Sequence, residues 1–269
     1  VHKDDVFAIR DLLLTLGYEP KRAQNEEQEK LLFRRYKDYG FVHPEKKHVI
    51  EVHWSVVERQ FSTLFDRELF LPTQRHVEIA TVPFSVMDAE EMLIILCAHG
   101  ALHEWDRLKW LCDVHELIYS TPEVDWAVAA SKARKWKVEK LLYLGLVLTH
   151  ECLGTEVPSA ILFSAQRNAS VDRLRRHVLR NYEADLKRLS VQSLDRVYYQ
   201  ANLPDKWYDR IRYLWIVVFN TNMNDVHFVT LPSWLSPLYV LLRPLRLIHK
   251  WGLWYLAKTV YRMMNVASK

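Results

Sequence analysis

The sequence predicts an α+β protein that is predominantly helical, and three observations carry this reading. Six Gly in 269 residues, against a usual share of ~7%, leave little material for Gly-rich phosphate loops or turn-dense β-sandwiches. Ten Trp, 13 Tyr and 10 Phe suit long helices packed through large side chains. One stretch, Lys46 to Trp54, alternates as a strand does, with His48, Ile50, Val52 and Trp54 on one face and Val49, Glu51 and His53 on the other. A hydrophobic share of 49% can build a sizeable core and excludes disorder.

The elements follow in order. Asp4 or Asp5 caps a helix to about Leu16, with Gly17 at the C′ position and Pro20 blocking continuation. A polar stretch leads to Leu31, Leu32 and Phe33, and the strand follows. Asp88 opens a long helix to about Tyr119, with Asp88 and Glu91 spaced like a capping box. Asp125 starts a helix to about Cys152, and Gly154 and Pro158 interrupt. Further helices run from about Val171 to Leu189 and from Pro204 to Phe219.

Charge and cysteine content narrow the partners. Lys+Arg of 37 against Asp+Glu of 33 gives +4, too little to require a nucleic acid. The balance is uneven: no acidic residue follows Asp225, while Arg243, Arg246, Lys250, Lys258, Arg262 and Lys269 do. The segment 231–265 is aromatic and apolar, but prolines and cations break it, so it is not a transmembrane span. Its aromatic residues beside exclusively basic charges suit peripheral contact with an anionic membrane. Cys97, Cys112 and Cys152 form no C-x-x-C and are expected as buried thiols in a reducing, cytoplasmic setting. The Asn168-Ala169-Ser170 sequon is read as unglycosylated.

The densest chemistry lies between His99 and Asp113. On one continuous helix His99, His103, Asp106, Trp110 and Asp113 share an arc of ~80°, flanked by Arg107 and Lys109. Burying such a stripe requires partners for every polar atom, so it faces water, a ligand or a hydrogen-bond network. His99 and His103 have the spacing of paired zinc ligands, yet the His-Glu-x-x-His metalloprotease motif, a G-x-S-x-G elbow and a Walker A sequence are all absent. Glu51 is the second candidate, because carboxylates hold the Mg2+ of phosphoryl-transfer enzymes. His53 is its neighbour on the same strand face.

The run Ile50-Glu51-Val52-His53-Trp54, then His99-Gly100 through His103, Trp105, Arg107 to Leu111 and Asp113, then Leu231-Pro232 with Leu235, Pro237 to Tyr239 and Arg243 to Leu247, resembles a family of poorly characterised bacterial nucleotidyltransferases of polymerase-β-like fold. The resemblance covers essentially the whole chain. It implies a Gly-Ser turn, a D-x-D strand and a third carboxylate that together hold two Mg2+ ions, bind NTP phosphates and activate an acceptor hydroxyl. Glu51 occupies the third-carboxylate position, as metal ligand and catalytic residue, with His53 beside it. The Gly-Ser turn and the D-x-D pair are missing from this sequence. Val1 matches the end of the D-x-D strand and Asp4-Asp5 the following cap. The chain is therefore expected to be an N-terminally truncated and inactive form of an active parent.

The same resemblance implies three regions: a partial nucleotidyltransferase core at 1–85, a helical domain at 86–227 and a basic, aromatic helical segment at 228–269. His99, His103, Arg107, Lys109, Trp110 and Asp113 become the expected nucleotide-binding residues, with Arg107 and Lys109 on phosphates, Trp110 on the base and the others orienting the groove. The expected activity is transfer of a nucleoside monophosphate from NTP to a small molecule, peptide or protein. The alternative is a non-catalytic module that docks on a protein or an anionic membrane through the helical scaffold and basic tail.

Overall fold

The computed structural model describes residues 1–22, 29, 32–33, 36–58, 61, 75–183, 194–220, 225, 228–229 and 233–252. The fold is α+β and predominantly helical, with ten α-helices and two small antiparallel sheets among the described residues. The chain divides into two compact units, 1–70 and 71–269.

The first unit is a three-stranded sheet with one helix. A 3-10 turn, Lys3–Asp5, leads into α1 (Val6–Thr15). Asp5 sits at the N-cap without a side-chain cap bond, and Gly17 follows with φ of 83° as the C′ position demands. Strands β1 (Glu19–Pro20), β2 (Asp38–Val42) and β3 (Val49–His53) pair antiparallel in that order. Alternation places Tyr39, Phe41 and Val52 in a core with Val6, Leu13 and Leu32. Glu29 ties this core to α1: it accepts from the Tyr39 hydroxyl at 2.9 Å and from Arg10 at 2.6 Å. Burial and the Glu29 carboxylate both push the Tyr39 phenol upward.

The second unit begins with a hairpin of β4 (Arg75–Ile79) and β5 (Val82–Val86). Its two turn residues, Ala80 and Thr81, have φ of 48° and 66°, the signs of a type I′ turn built without Asn or Gly. Helices follow as α2 (Ala89–Leu102), α3 (Leu108–Ser120), α4 (Trp126–Lys135), α5 (Glu139–Leu153), α6 (Ser159–Gln166), α7 (Ala169–Glu183), α8 (Leu194–Ala201), α9 (Trp207–Phe219) and α10 (Tyr239–Trp251). Helix α5 is central. Every residue from Lys140 to Leu142 and from Leu144 to Thr149 is buried, as an all-round apolar helix inside a bundle must be. Asp125 caps α4 through the Ala127 and Val128 N–H groups, and Asn168 caps α7 through those of Ser170 and Val171.

Four expectations need correction. The helix expected at 88–119 breaks at 103–107, where Glu104 and Trp105 adopt φ of 58° and 54°. The helix from Asp125 breaks at 136–138, where Lys137 has φ of 60°. Asp88 and Glu91 form no capping box, because both carboxylates bind Lys132 of α4, at 3.2 and 2.9 Å. Only Cys97 is buried; Cys112 and Cys152 are exposed. The end of the expected Val171–Leu189 helix, Leu31, and the tail beyond 252 lie outside the described residues.

The thiols should report this difference directly. Burial pushes the Cys97 thiol far up, and burial with Glu151 nearby raises Cys152 modestly. In a native titration with a disulfide reagent, Cys112 should react first and Cys152 more slowly, while Cys97 should react only on unfolding. Rapid modification of all three would refute the packing around Cys97.

Candidate functional site

In the first unit the candidate residues gather on the outer face of β3. Val49, Glu51 and His53 are exposed there, while Val52 points into the core. Glu51 and His53 are about half exposed, with His53 Nε2 3.6 Å from a Glu51 oxygen. The antiparallel register sets Asp38 opposite His53 and Gly40 opposite Glu51, so Asp38 shares the face of the pair. Its carboxylate is nearly buried and lies 3.5 Å from Arg22. The Val1 nitrogen donates to the His53 carbonyl at 2.8 Å. Asp38 escaped the sequence reading. Its signal was the alternation Asp38-Tyr39-Gly40-Phe41, too short to stand out.

The fit to a metal can be tested on this face. Glu51 offers one accessible carboxylate, and Asp38 is engaged by Arg22. Among the described residues no three His, Cys, Asp or Glu side chains could hold a metal ion. The Mg2+ pair implied by the resemblance does not fit the described residues by themselves, and neither does zinc at His99 and His103.

In the second unit a local motif, not a continuous helix, brings the stripe together. Helix α2 ends in a Schellman motif: Trp105 N–H bonds the Gly100 carbonyl at 2.8 Å, and Glu104 N–H bonds that of Ala101 at 3.1 Å. Glu104 stands where Gly is usual, and its backbone strain is offset by a hydrogen-bond contact with His177 at 3.3 Å and an ion pair with Arg196 at 3.1 Å. The Trp105 ring tucks under α2 against Gly100, and its carbonyl accepts from the Tyr182 hydroxyl. Gln200 bonds the Leu102 carbonyl at 3.0 Å. The turn is thus gripped by α7 and α8.

Across this turn the His99, His103 and Trp110 rings meet. Centroids of His99 lie 4.6 Å from both His103 and Trp110, and His103 stacks on Trp110 at 5.5 Å. Trp110 Nε1 donates to Asp106 at 3.1 Å, and the Lys109 ammonium lies 4.3 Å above the Trp110 ring. Arg107 and Lys109 are exposed, as is Asp113 one helical turn beyond Trp110. The cluster is an aromatic platform with a polar edge and two solvated cations. In the described part of the basic tail, Arg243 and Arg246 are both held by Asp225. No described helix is long and apolar enough to cross a membrane.

Comparison with known families gives the class. The chain belongs to a family described as uncharacterised nucleotidyltransferases, whose pattern matches residues 1–154 and so spans β3, the Glu51–His53 pair and the His99–Trp110 cluster. No curated protein and no solved structure matches the chain.

Proposed function

We propose that this protein takes part in NTP-dependent nucleotidyl transfer, in which an acceptor hydroxyl attacks the α-phosphate of NTP, takes the nucleoside monophosphate and releases pyrophosphate. The observation that carries the reading is the exposed Glu51–His53 pair on the outer face of β3, inside the span that matches the nucleotidyltransferase family. A carboxylate left half in solvent beside an imidazole can meet a ligand, whereas Asp38 is committed to Arg22. In the helical unit, Arg107 and Lys109 supply charge for phosphates and Trp110 supplies a surface for a base. A base takes that surface by displacing the Lys109 ammonium, which the same base's phosphates then attract. His99, His103 and Asp113 orient these groups. Mg2+ would enter with the triphosphate as its counter-cation.

Calorimetric titration of residues 1–269 with each of the four NTPs, with and without Mg2+, tests this. Binding of at least one NTP is expected, weakened about tenfold or more by Glu51→Ala and by Lys109→Ala, the usual scale for losing a charged partner. Absence of binding by all four at millimolar concentration with Mg2+ present would overturn it.

A further inference from the structure

We propose that α10 docks in the plane of an anionic phospholipid surface, with its outward stripe of leucines inserted among the lipids. The helix has two unlike faces. Tyr239, Arg243 and Leu247, spaced i, i+4 and i+8, are buried and form its inner side. Leu241, Leu245 and His249 keep the same spacing roughly 160° away round the helix, and all three are exposed. Leu238 at the N-cap is exposed as well and extends the stripe. Leu241 and Leu245 are 65% and 62% exposed, which leaves most of each side chain for a partner to bury. One exposed leucine is ordinary, but three along one helix face mark a surface that something covers.

The charge around that stripe selects the occupant. Helix α10 contains Arg243, Arg246, His249 and Lys250 and no acidic residue. Asp225 holds Arg243 and Arg246. Beyond those two the chain carries Lys250, Lys258, Arg262 and Lys269, with no Asp or Glu after residue 225. A leucine stripe in a segment whose charges have one sign is complementary to a surface that is apolar beneath and negative above. Anionic lipid is such a surface, and each Lys or Arg close to it strengthens binding about fivefold.

Size argues the same way. A helix of 13 residues is about 20 Å long and about 10 Å across, so its outer face offers roughly 200 Å2. A stable protein complex takes about 800 Å2 from each partner. A membrane sets no such threshold, because an amphipathic helix sinks only ~5–10 Å to bury its apolar side. Helix α10 is too short and too charged to cross a bilayer, so it lies along the surface. The inference is independent of nucleotidyl transfer, since α10 lies beyond the residues matched by the family and contains neither Glu51 nor the His99–Trp110 cluster.

The test is co-sedimentation of the whole chain with vesicles of equal phosphatidylglycerol and phosphatidylcholine in nucleotide-free buffer, with pure phosphatidylcholine vesicles alongside. The parent should bind the anionic vesicles about tenfold or more tightly than the neutral ones, and about 0.5 M NaCl should weaken that binding by screening. Leu241→Ser combined with Leu245→Ser should lower binding to anionic vesicles about tenfold or more. Both leucines face solvent, so L241S/L245S should melt with the parent, which separates loss of docking from loss of fold. Binding to neither kind of vesicle, equal binding to both, or equal binding by the parent and L241S/L245S would overturn the proposal. A concentration-dependent dimer in analytical ultracentrifugation that L241S/L245S abolishes would overturn it too, and would assign the stripe to a second copy of this chain.

Discussion

Replacing Gly100 with alanine should destabilise the helical unit by about 3 kcal/mol, the upper part of the usual range for forcing an extra carbon into a packed core. A Cβ at Gly100 would overlap the six-membered ring of Trp105, which is fully buried. The ring has nowhere to go. On its other side it approaches Gly145 of α5, where a Cβ would stand 3.1 Å from it and would also strike Cys97. The Trp105 backbone is fixed from both directions, by the Gly100 carbonyl and by the Tyr182 hydroxyl. Relief therefore requires opening the Schellman turn, which exposes Trp105 and separates His103 and Trp110. For a unit of this size the loss corresponds to a fall in Tm of roughly 6–12 °C. Thermal denaturation followed by near-ultraviolet circular dichroism reads both consequences at once. A G100A protein melting within about 2 °C of the parent, with its aromatic signal intact, would show that Trp105 does not hold the turn.

That turn also marks where sequence reasoning succeeds and stops. The apolar spacing of α2 is plain in Leu93, Ile94, Cys97, Ala98 and Ala101, all buried as periodicity requires. The break after Leu102 is hidden, because Glu104 and Trp105 take positive φ without the Gly or Asn that normally announces it. The reason lies far along the chain, in His177, Arg196, Tyr182 and Gln200. The angular arithmetic still paired His99 with His103 and Trp110, since the motif folds α3 back beside the end of α2. Its premise of one straight helix was incorrect. In the sheet, β3 was legible because alternation runs from His48 to Trp54, and Glu51 and His53 emerged on one face as expected. The hairpin was not, since its turn is Ala80-Thr81. Long-range ion pairs leave no local trace: Lys132 with Asp88 and Glu91, and Lys140 with Asp205, depend on segments packing across dozens of residues.

The same limitation affects the tail, and Asp225→Ala should expose it. Asp225 is the last acidic residue of the chain and is almost fully buried. One of its oxygens holds Arg243 Nη1 at 2.8 Å and the other holds Arg246 Nε at 2.6 Å. Arg243 also donates to the Val217 carbonyl at 2.8 Å, which ties α10 to α9. Deleting the carboxylate leaves two guanidinium groups, each nearly buried, with no anion between them. Breaking a buried pair in this way costs about 3–5 kcal/mol, more than the pair itself contributes relative to an apolar replacement. Asp225→Asn should cost nearly as much, because the shape survives but the charge does not. The relief available to the variant is to release α10 so that both arginines reach water. Trypsin should then cut after Arg246 early, before the rest of the unit unfolds, whereas the Arg243–Pro244 bond resists it. Anionic vesicles provide the second readout. In the parent both arginines are held by the Asp225 carboxylate, so any vesicle binding has to rely on other cations. In D225A they become available, and salt-sensitive vesicle binding should increase as stability falls. Unchanged proteolysis and melting in D225A would mean that α10 is held by its apolar contacts at Tyr239 and Leu247, and that the carboxylate does not anchor it.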